Sequence, residues 1–390
     1  MHTGHYVFHQ LTRSLSRYVF QECVDRYRGD HYIKSFPCWQ QFLCLCFGQL
    51  TFRESLSSLV LCINAHAKKL YNLGLPASIK RSTLAYANEQ RDWRIYEAFG
   101  HQLIQKARAL YCTDTPFLEK ISGTFYALDS TTIDLCLSVF QWASFRETKG
   151  AVKLHTLLDL RGSIPTFVHI SEGTMHDVTI LDTLLIERDA CYVMDRGYID
   201  YRRLYTIHQA HASFIIRAKQ NLRCDRVYSR PVDRSTGVLC DQTIRFAIWS
   251  ARTKYPENLR RVKYRDATTN NTYVFLTNNS ELTALQIADL YKHRWDIEQF
   301  FKWIKGHLKI QRFWGTSPNA VKTQIWVAVC TYLMVAIVKK QLNIDWSMYE
   351  ILQILSITIF EKTSMDTLFA EFNLHAIERT NQNQLSLLEF

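Results

Sequence analysis

Three features are missing from this chain of 390 residues, and each absence argues against a class of protein. None of the 11 cysteines forms a CxxC pair, so we expect no zinc site or disulfide framework and infer a reducing cytoplasm. No GxxxxGK[ST] motif is present, which argues against ATP-driven chemistry. The N-terminus has no signal-peptide pattern, and the longest apolar run, 325–338, has only 14 residues. We therefore expect that run to be a buried helix in a soluble cytoplasmic protein with no membrane partner.

Positive charge is concentrated in one middle segment of the chain. The formal net charge is +11, which favours a polyanionic partner such as nucleic acid. Residues 217–265 carry 13 Lys and Arg against 4 Asp and Glu, a net +9. Residues 320–390 carry 5 basic and 7 acidic groups, a net −2. The middle segment is therefore the candidate surface for binding a polyanion.

Hydrophobic periodicity predicts a mixed α/β fold with helical regions at both ends. Residues 1–120 are typical of helices, with four basic side chains around a break at 74–76, namely Lys68, Lys69, Lys80 and Arg81. Two helices joined by a basic turn suit a DNA-reading module, and a plain helical bundle explains the pattern equally well. Strands follow from residue 123, with a hairpin around 161–163 and a short buried strand at 191–194. The basic segment, about 215–285, is predicted to be an inserted β subdomain.

The stretch 291–305 is predicted to form a single helix that gathers four polar side chains. At 100° per residue, Tyr291, Arg294, Glu298 and Lys305 fall within an arc of about 60°. An apolar stripe on another face lets the helix pack against a core. A carboxylate framed by cations suits a phosphate-handling surface, whereas a solvated amphipathic helix with Glu–Lys pairs is the plainer interpretation.

Two upstream carboxylates favour phosphate chemistry over the plainer interpretation. Asp129 and Asp195 each follow a short apolar run that predicts a strand ending at the carboxylate. Hydrolysis of a phosphodiester is served by two Mg²⁺ ions about 3.5–4 Å apart, held by hard oxygen ligands. The alternative is a zinc site formed by His155, Asp159, His169, His176 and Asp177. His155 and Asp159 are in a predicted strand, however, where positions four apart are about 13 Å apart. Asp129, Asp195 and Glu298 are therefore the predicted metal ligands.

These blocks together resemble a known family. The pattern Tyr291-x2-Arg294-x3-Glu298-x6-Lys305 is similar to the signature of bacterial insertion-sequence transposases of the DDE class, of the insertion-sequence-four type. The segments 125–132 and 193–198 resemble their first and second aspartate blocks. The resemblance implies a ribonuclease-H-like core in which Asp129, Asp195 and Glu298 are catalytic.

The resemblance also implies an activity, its partners and a domain plan. The expected reaction is cut-and-paste transposition with two Mg²⁺ ions, for which Mn²⁺ should substitute. Expected partners are double-stranded DNA (terminal inverted repeats and target) and a second copy in a synaptic dimer associated with the nucleoid. The predicted DNA contacts are Tyr291, Arg294, Trp295, Lys302 and Lys305, with Trp295 stacking on an unpaired base. The predicted domains are a DNA-binding region 1–120, a catalytic domain 121–312, and a helical region 313–390 that packs on the core or forms the dimer contact.

Two other functions remain open from the sequence. A ribonuclease-H-like nuclease would cut DNA without joining it to a target. A non-catalytic DNA-binding protein derived from a transposase would keep the basic surface, although the intact carboxylate set argues against it.

Overall fold

The computed structural model describes residues 5–112, 121, 123–146, 149–307 and 312–370. The chain divides into a helical unit, Met1–Leu110 with Lys302–Phe390, and a sheet unit, Tyr111–Phe301. Parts of the predicted domains therefore lie outside the described residues, namely 1–4, most of 113–122, 308–311 and 371–390. In the described C-terminal stretch, residues 312–370 belong to the same unit as the N-terminal helices.

Helices occupy both ends of the chain, and the strands of the described residues lie between Thr124 and Thr277. Within the described residues the helices are α1 (Val7–Arg13), α2 (Arg17–Arg26), α3 (Cys38–Leu50), α4 (Leu56–Ala65), α5 (Ala67–Leu70), α6 (Arg81–Gln90), α7 (Arg94–Tyr111), α8 (Tyr201–Gln209), α9 (Trp249–Lys254), α10 (Ala284–Lys292), α11 (Trp295–His307), α12 (Pro318–Gln341) and α13 (Met348–Thr358). The strands are β1 (Thr124–Leu135), β2 (Ser144–Arg146), β3 (Lys149–Asp159), β4 (Ile164–Glu172), β5 (Ala190–Met194), β6 (Ser213–Arg217), β7 (Cys224–Arg230), β8 (Val238–Phe246), β9 (Leu259–Arg265) and β10 (Thr272–Thr277).

Helix α12 forms the centre of the helical unit. Ser317 caps it by accepting a hydrogen bond from the Ala320 N–H at 3.2 Å, and Pro318 occupies the first position, where no N–H is needed. The helix is long and apolar enough to cross a membrane, but 94% of its most apolar window is buried in the protein. The prediction of a buried helix at 325–338 is confirmed, and the helix extends beyond the apolar run at both ends.

The sheet has a ribonuclease-H-like core. Strands β1, β3 and β4 form an antiparallel meander, and β5 and β6 then add parallel to β1. The order is β3-β1-β5-β6, with β2 and β4 both pairing with β3. Ser163, at the tip of the β3–β4 hairpin, has a positive φ of 55°, as tight turns require. The predicted mixed α/β fold and the hairpin around 161–163 are confirmed.

The basic insertion extends this same sheet. Strand β10 pairs antiparallel with β6, and β9, β8 and β7 follow in order. Pairing with β10 satisfies the backbone groups of β6, which would otherwise be exposed at an edge. Tyr255 and Phe246 from the insertion share one hydrophobic cluster with Tyr192 of β5 and Phe214 of β6. The insertion is therefore continuous with strands β1–β6 in both hydrogen bonding and core.

The predicted single helix over 291–305 is wrong, because the chain turns between α10 and α11. The backbone N–H of Arg294 bonds to the Tyr291 carbonyl at 3.2 Å, which closes a turn. Asp296 then accepts a bond from His293 Nδ1 at 3.0 Å, and Asp296 and Glu298 occupy the first turn of α11. Acidic side chains in a first turn interact favourably with the helix dipole, which stabilises a new start at this point.

Candidate active site

Asp129 and Asp195 lie side by side on neighbouring parallel strands. Leu128 of β1 pairs with Met194 of β5, so the two aspartates are the next positions along. Asp129 is not at a strand end as predicted, because β1 continues to Leu135 through its pairing with β3. The parallel pairing does end there, and ligand sites in α/β sheets form at the carboxyl ends of parallel strands.

A third parallel strand adds a cation to this edge. Met194 of β5 pairs with Ile216 of β6, which places Arg217 at the position next to Asp195. The guanidinium of Arg217 lies 5.1 Å from the ring centre of Tyr273. Sequence analysis counted Arg217 only as part of the basic segment. Its place beside the aspartates follows from strand order, which the sequence does not state.

Arg294 links the first aspartate to the glutamate. Its Nη1 donates to Asp129 Oδ2 at 3.2 Å, and its Nη2 donates to Glu298 Oε1 at 2.7 Å. The Arg294 side chain is only 10% exposed, and the Nε–H has no hydrogen-bond partner in the described part of the chain. The turn between α10 and α11 thus brings Asp129 and Glu298 onto one buried cation.

The carboxyl group of Asp129 is held in an unfavourable environment for a charge. Burial raises its pKa to about 6, and the nearby negative charges of Asp195 and Glu298 act in the same direction. The Ser130 N–H, which donates to Asp129 at 2.8 Å, and the charge of Arg294 oppose that rise. A raised pKa in a carboxylate cluster is typical of a site that is completed by a cation.

Asp195 begins a short turn that borders a cationic pocket. Its carboxylate caps the 3-10 helix Arg196–Tyr198 by accepting a hydrogen bond from the Gly197 N–H. A shallow pocket beside this turn is lined by Arg196, Gly197, Lys219, Gln220 and Asn221. Sequence reasoning missed Arg196 and Lys219 as site residues, because their proximity depends on β5 and β6 being neighbours.

The other predicted contact residues differ in accessibility. Tyr291 is 7% exposed and packs against Phe275 with ring centres 4.7 Å apart. Trp295 is 59% exposed, and its ring lies 5.7 Å from the Arg294 guanidinium. Lys302 is exposed and Lys305 is half-buried, both on the part of α11 that belongs to the helical unit. Of the five predicted contact residues only Trp295 and Lys302 are exposed, and the DNA contacts stay predictions.

The histidines of β3 and β4 do not form the alternative zinc site. His155 is fully buried, and its Nε2 lies 2.9 Å from Ser171 Oγ. Burial lowers the pKa of His155 to about 4. Asp159 is bound by the Arg161 guanidinium through bonds of 3.0 and 2.8 Å. Both side chains are engaged in structural contacts.

The donor set suits a divalent cation, although no preformed cage is present. Carboxylate oxygens are the ligands that Mg²⁺ and Mn²⁺ prefer. Within the ranges the structure describes, no three His, Cys, Asp or Glu side chains are close enough to surround one ion. Arg294 occupies the space between two of the candidate ligands, Asp129 and Glu298. A cation held by Asp129, Asp195 and Glu298 would therefore share Asp129 and Glu298 with Arg294 or displace it from them.

Most of the basic segment is available to a partner. Eight of its 13 cations are exposed, four are half-buried and one is buried. The buried one, Arg260, donates to Asp241 at 2.9 and 2.7 Å across β8 and β9 and is a structural residue. The exposed cations are Lys219, Arg223, Arg226, Arg234, Arg245, Arg252, Lys254 and Arg265.

Comparison with known families gives two matches along the chain. The family described as "Transposase DDE domain" matches residues 121–334. A domain of unknown function matches residues 3–76. The first match contains all three candidate carboxylates.

Individual relatives carry related names. A protein of Sinorhizobium fredii named as a transposase is 32% identical over 292 residues, which cover 74% of this chain and 79% of its own length. A Geobacillus stearothermophilus protein named as the transposase of an insertion sequence element is 31% identical, over 56% of this chain and 59% of its own. A solved piggyBac transposase synaptic complex with hairpin DNA covers 95% of this chain and 82% of its own, with 9% identity and a TM-score of 0.46. That structural similarity is too low to bear on function.

Proposed function

The chain belongs to the DDE transposase family of bacterial insertion sequences, and on that premise we propose that it performs Mg²⁺-dependent cut-and-paste transposition. Enzymes of this class cleave DNA, transfer strands and depend on divalent metal ions. Beyond family membership, we propose which residues act, which metal ion is used and which DNA is recognised. It rests chiefly on one observation, the adjacency of Asp129 and Asp195 where the parallel pairing of β1 and β5 ends, with Glu298 joined to Asp129 through Arg294.

Asp129, Asp195 and Glu298 would hold the metal ions. Bound divalent ions activate the attacking water or 3′-hydroxyl and stabilise the leaving oxygen of a phosphodiester. The role of Asp129 is to offer an oxygen whose negative charge the protein alone stabilises poorly. A cation bound to this oxygen would supply the missing stabilisation. Until a metal ion binds, Arg294 neutralises part of the charge of this cluster. The specific assignment to the insertion-sequence-four type remains part of the proposal.

The DNA would run along the edge where the parallel pairing of β1, β5 and β6 ends. Arg217 and the cations of the pocket beside Asp195, Arg196 and Lys219, supply positive charge on this edge. The exposed arginines of the insertion continue the basic surface away from the carboxylates. Tyr291, Arg294, Trp295, Lys302 and Lys305 are proposed to grip the cleaved end, with Trp295 stacking on an unpaired base.

The remaining parts of the proposal concern assembly. The helical region 1–120 would bind the terminal inverted repeats, residues 121–312 would carry the chemistry, and 313–390 would support packing or a synaptic homodimer. The site of action is the bacterial nucleoid. Strand transfer at two ends requires two active sites near one another, which is the reason for proposing a dimer.

The test is a cleavage and strand-transfer assay on duplexes that carry the ends of the element encoding this chain, with Mg²⁺ or Mn²⁺. Asp195→Ala should abolish both steps, whereas Asp134→Ala, an exposed carboxylate on the same sheet, should leave both unchanged. Cleavage without joining would favour a nuclease. Binding without either reaction would favour the non-catalytic DNA-binding protein.

A further inference from the structure

Helix α6 has one buried face and one polar face open to solvent. Leu84, Ala87 and Asn88 are at most 3% exposed. Asn88 is tied into the unit by the Gln41 amide, which donates to Asn88 Oδ1 at 2.8 Å, and by Asn319 Nδ2, which donates to the Asn88 carbonyl at 2.9 Å. The orientation of the helix about its own axis is therefore fixed by buried contacts.

The open face carries side chains that can discriminate bases. Ser82, Thr83, Tyr86, Glu89 and Gln90 are all exposed, and Tyr86 is 64% exposed. They fall within about 120° on the helix, opposite the buried residues. Gln can pair with adenine, Glu can accept from cytosine, and Ser or Thr can bond either kind of base edge. A surface that only bound phosphates would be rich in Lys and Arg instead.

Cations lie at the start of α6 and in α5: Lys80 directly precedes α6, Arg81 is its first residue, and Lys68 and Lys69 belong to α5. Residues 55–88 contain Lys68, Lys69, Lys80 and Arg81 and no Asp or Glu. The connection before α6 is held in place, because Asn64 Oδ1 accepts from the Ile79 N–H at 2.8 Å and Asn64 Nδ2 donates to the Ile79 carbonyl at 3.0 Å. The connection is longer than the turn of a standard helix-turn-helix, so it is the exposed face of α6 that indicates recognition.

We infer that α6 is a recognition helix whose exposed face reads base edges in the major groove of duplex DNA. The occupant is a duplex because the face combines base-reading groups with two cations, Lys80 and Arg81, at the start of the helix. At about 15 Å the helix is long enough to cross a major groove about 12 Å wide. The inference deepens the proposed function by naming the element that selects the terminal repeats, and it rests on that function for the identity of the DNA.

The test is selection of bound duplexes from a library with a randomised central segment. The protein is the full chain carrying Glu298→Gln, so that binding is measured without cleavage. The variant Y86A/E89A/Q90A should lose the selected consensus at several positions, with about 5- to 150-fold weaker preference per lost contact. Its binding to random DNA should keep the same salt dependence, because no Lys or Arg is removed.

A matched control exists on α2. Tyr18, Gln21 and Glu22 are exposed on that helix, so Y18A/Q21A/E22A removes the same chemical groups elsewhere in the helical unit. It should select the same consensus as the parent. Lys68→Gln with Lys80→Gln should weaken binding to all duplexes alike, with the salt slope reduced by about 1.8.

Selection of an unchanged consensus by the α6 variant would overturn the inference, as would loss of the consensus by both triple variants to the same extent. Thermal melting of each variant confirms that the fold is intact. Selection does not require catalysis, so a failure here leaves the cleavage test of the proposed function untouched, and the reverse also holds.

Discussion

Removal of the Arg294 guanidinium tests whether this side chain keeps the carboxylate cluster stable without metal. Arg294→Met preserves most of the side-chain volume and removes the charge that joins Asp129 to Glu298. The three carboxylates then face each other with less positive charge nearby. We expect the folded protein to be less stable in the absence of divalent ions and to recover when they are added.

The size of the effect follows from the burial of each partner. Breaking a buried ion pair by removing one member costs about 3–5 kcal/mol. The Glu298 side chain is 37% exposed, so solvent largely screens its ion pair with Arg294. Loss of the ion pair between Arg294 and Asp129 then lowers the free energy of unfolding by about 2 kcal/mol. For a unit of roughly 190 residues, this corresponds to a fall in Tm of about 4–8 °C.

The assay is thermal unfolding with EDTA and with increasing Mg²⁺ or Mn²⁺. At 100 times its Kd a divalent ion adds about 2.7 kcal/mol, enough to offset the loss. The wild type should respond less, because Arg294 already neutralises part of the carboxylate charge. Arg203→Met is the matched control, since Arg203 also binds two carboxylates, Asp182 at 2.7 Å and Asp200 at 3.2 Å, on an exposed surface.

Two results would refute this reasoning. The first is an Arg294→Met protein that is as stable as the wild type in EDTA. That result would mean that the hydrogen bonds from Arg294 to Asp129 and Glu298 do not offset the carboxylate charges. The second is an equal rise in Tm on metal addition for wild type, Arg294→Met and Arg203→Met, which would place metal binding elsewhere.

Three further predictions address chemistry, DNA binding and pH. Glu298→Gln should keep DNA affinity within a few-fold and slow cleavage at least ~10³-fold, about 4 kcal/mol of barrier; near-normal cleavage would remove Glu298 from the mechanism. Changing Arg226, Arg245 and Arg252 to Gln should reduce the slope of log affinity against log salt by about 0.9 for each lost phosphate contact, whereas an unchanged slope would mean that these side chains do not touch DNA. Because the pKa of Asp129 is raised from 3.8 to about 6, the contribution of Asp129 to wild-type stability should fall as pH rises through that window. Asp129→Asn should therefore gain up to about 3 kcal/mol relative to wild type between pH 4 and 7 in urea unfolding, and a constant difference would contradict the raised pKa.

The helix over 291–305 shows where sequence periodicity reaches its limit. The apolar and polar arcs correctly identified helical segments, but a regular period says nothing about a break of two residues. The break at His293 and Arg294 depends on local bonds, notably His293 to Asp296, and it determines where the Arg294 side chain points. The helical wheel correctly grouped Arg294 with Glu298, but the two side chains meet because Arg294 lies in the turn before α11 and not because they share one helix.

The amino-acid sequence alone determined the elements and the family. Alternating and apolar runs predicted the hairpin and strand β5, and the spacing of short motifs indicated a DDE transposase, which the family match confirms. The clustering of positive charge in 217–265 was also visible, since charge is a property of composition. These features are local, so they can be read without knowing which segments are neighbours.

Only the tertiary structure decided which side chains share the site. Strand order placed Arg217 beside Asp195, and the pocket lining brought Lys219 to Arg196, although no motif connects them. Continuous pairing from β6 to β10 made the insertion part of the catalytic sheet. The burial that raises the pKa of Asp129 likewise comes from chain segments distant in sequence. Desolvation and proximity are sums over all neighbours in space, and those neighbours exist only once the chain has folded.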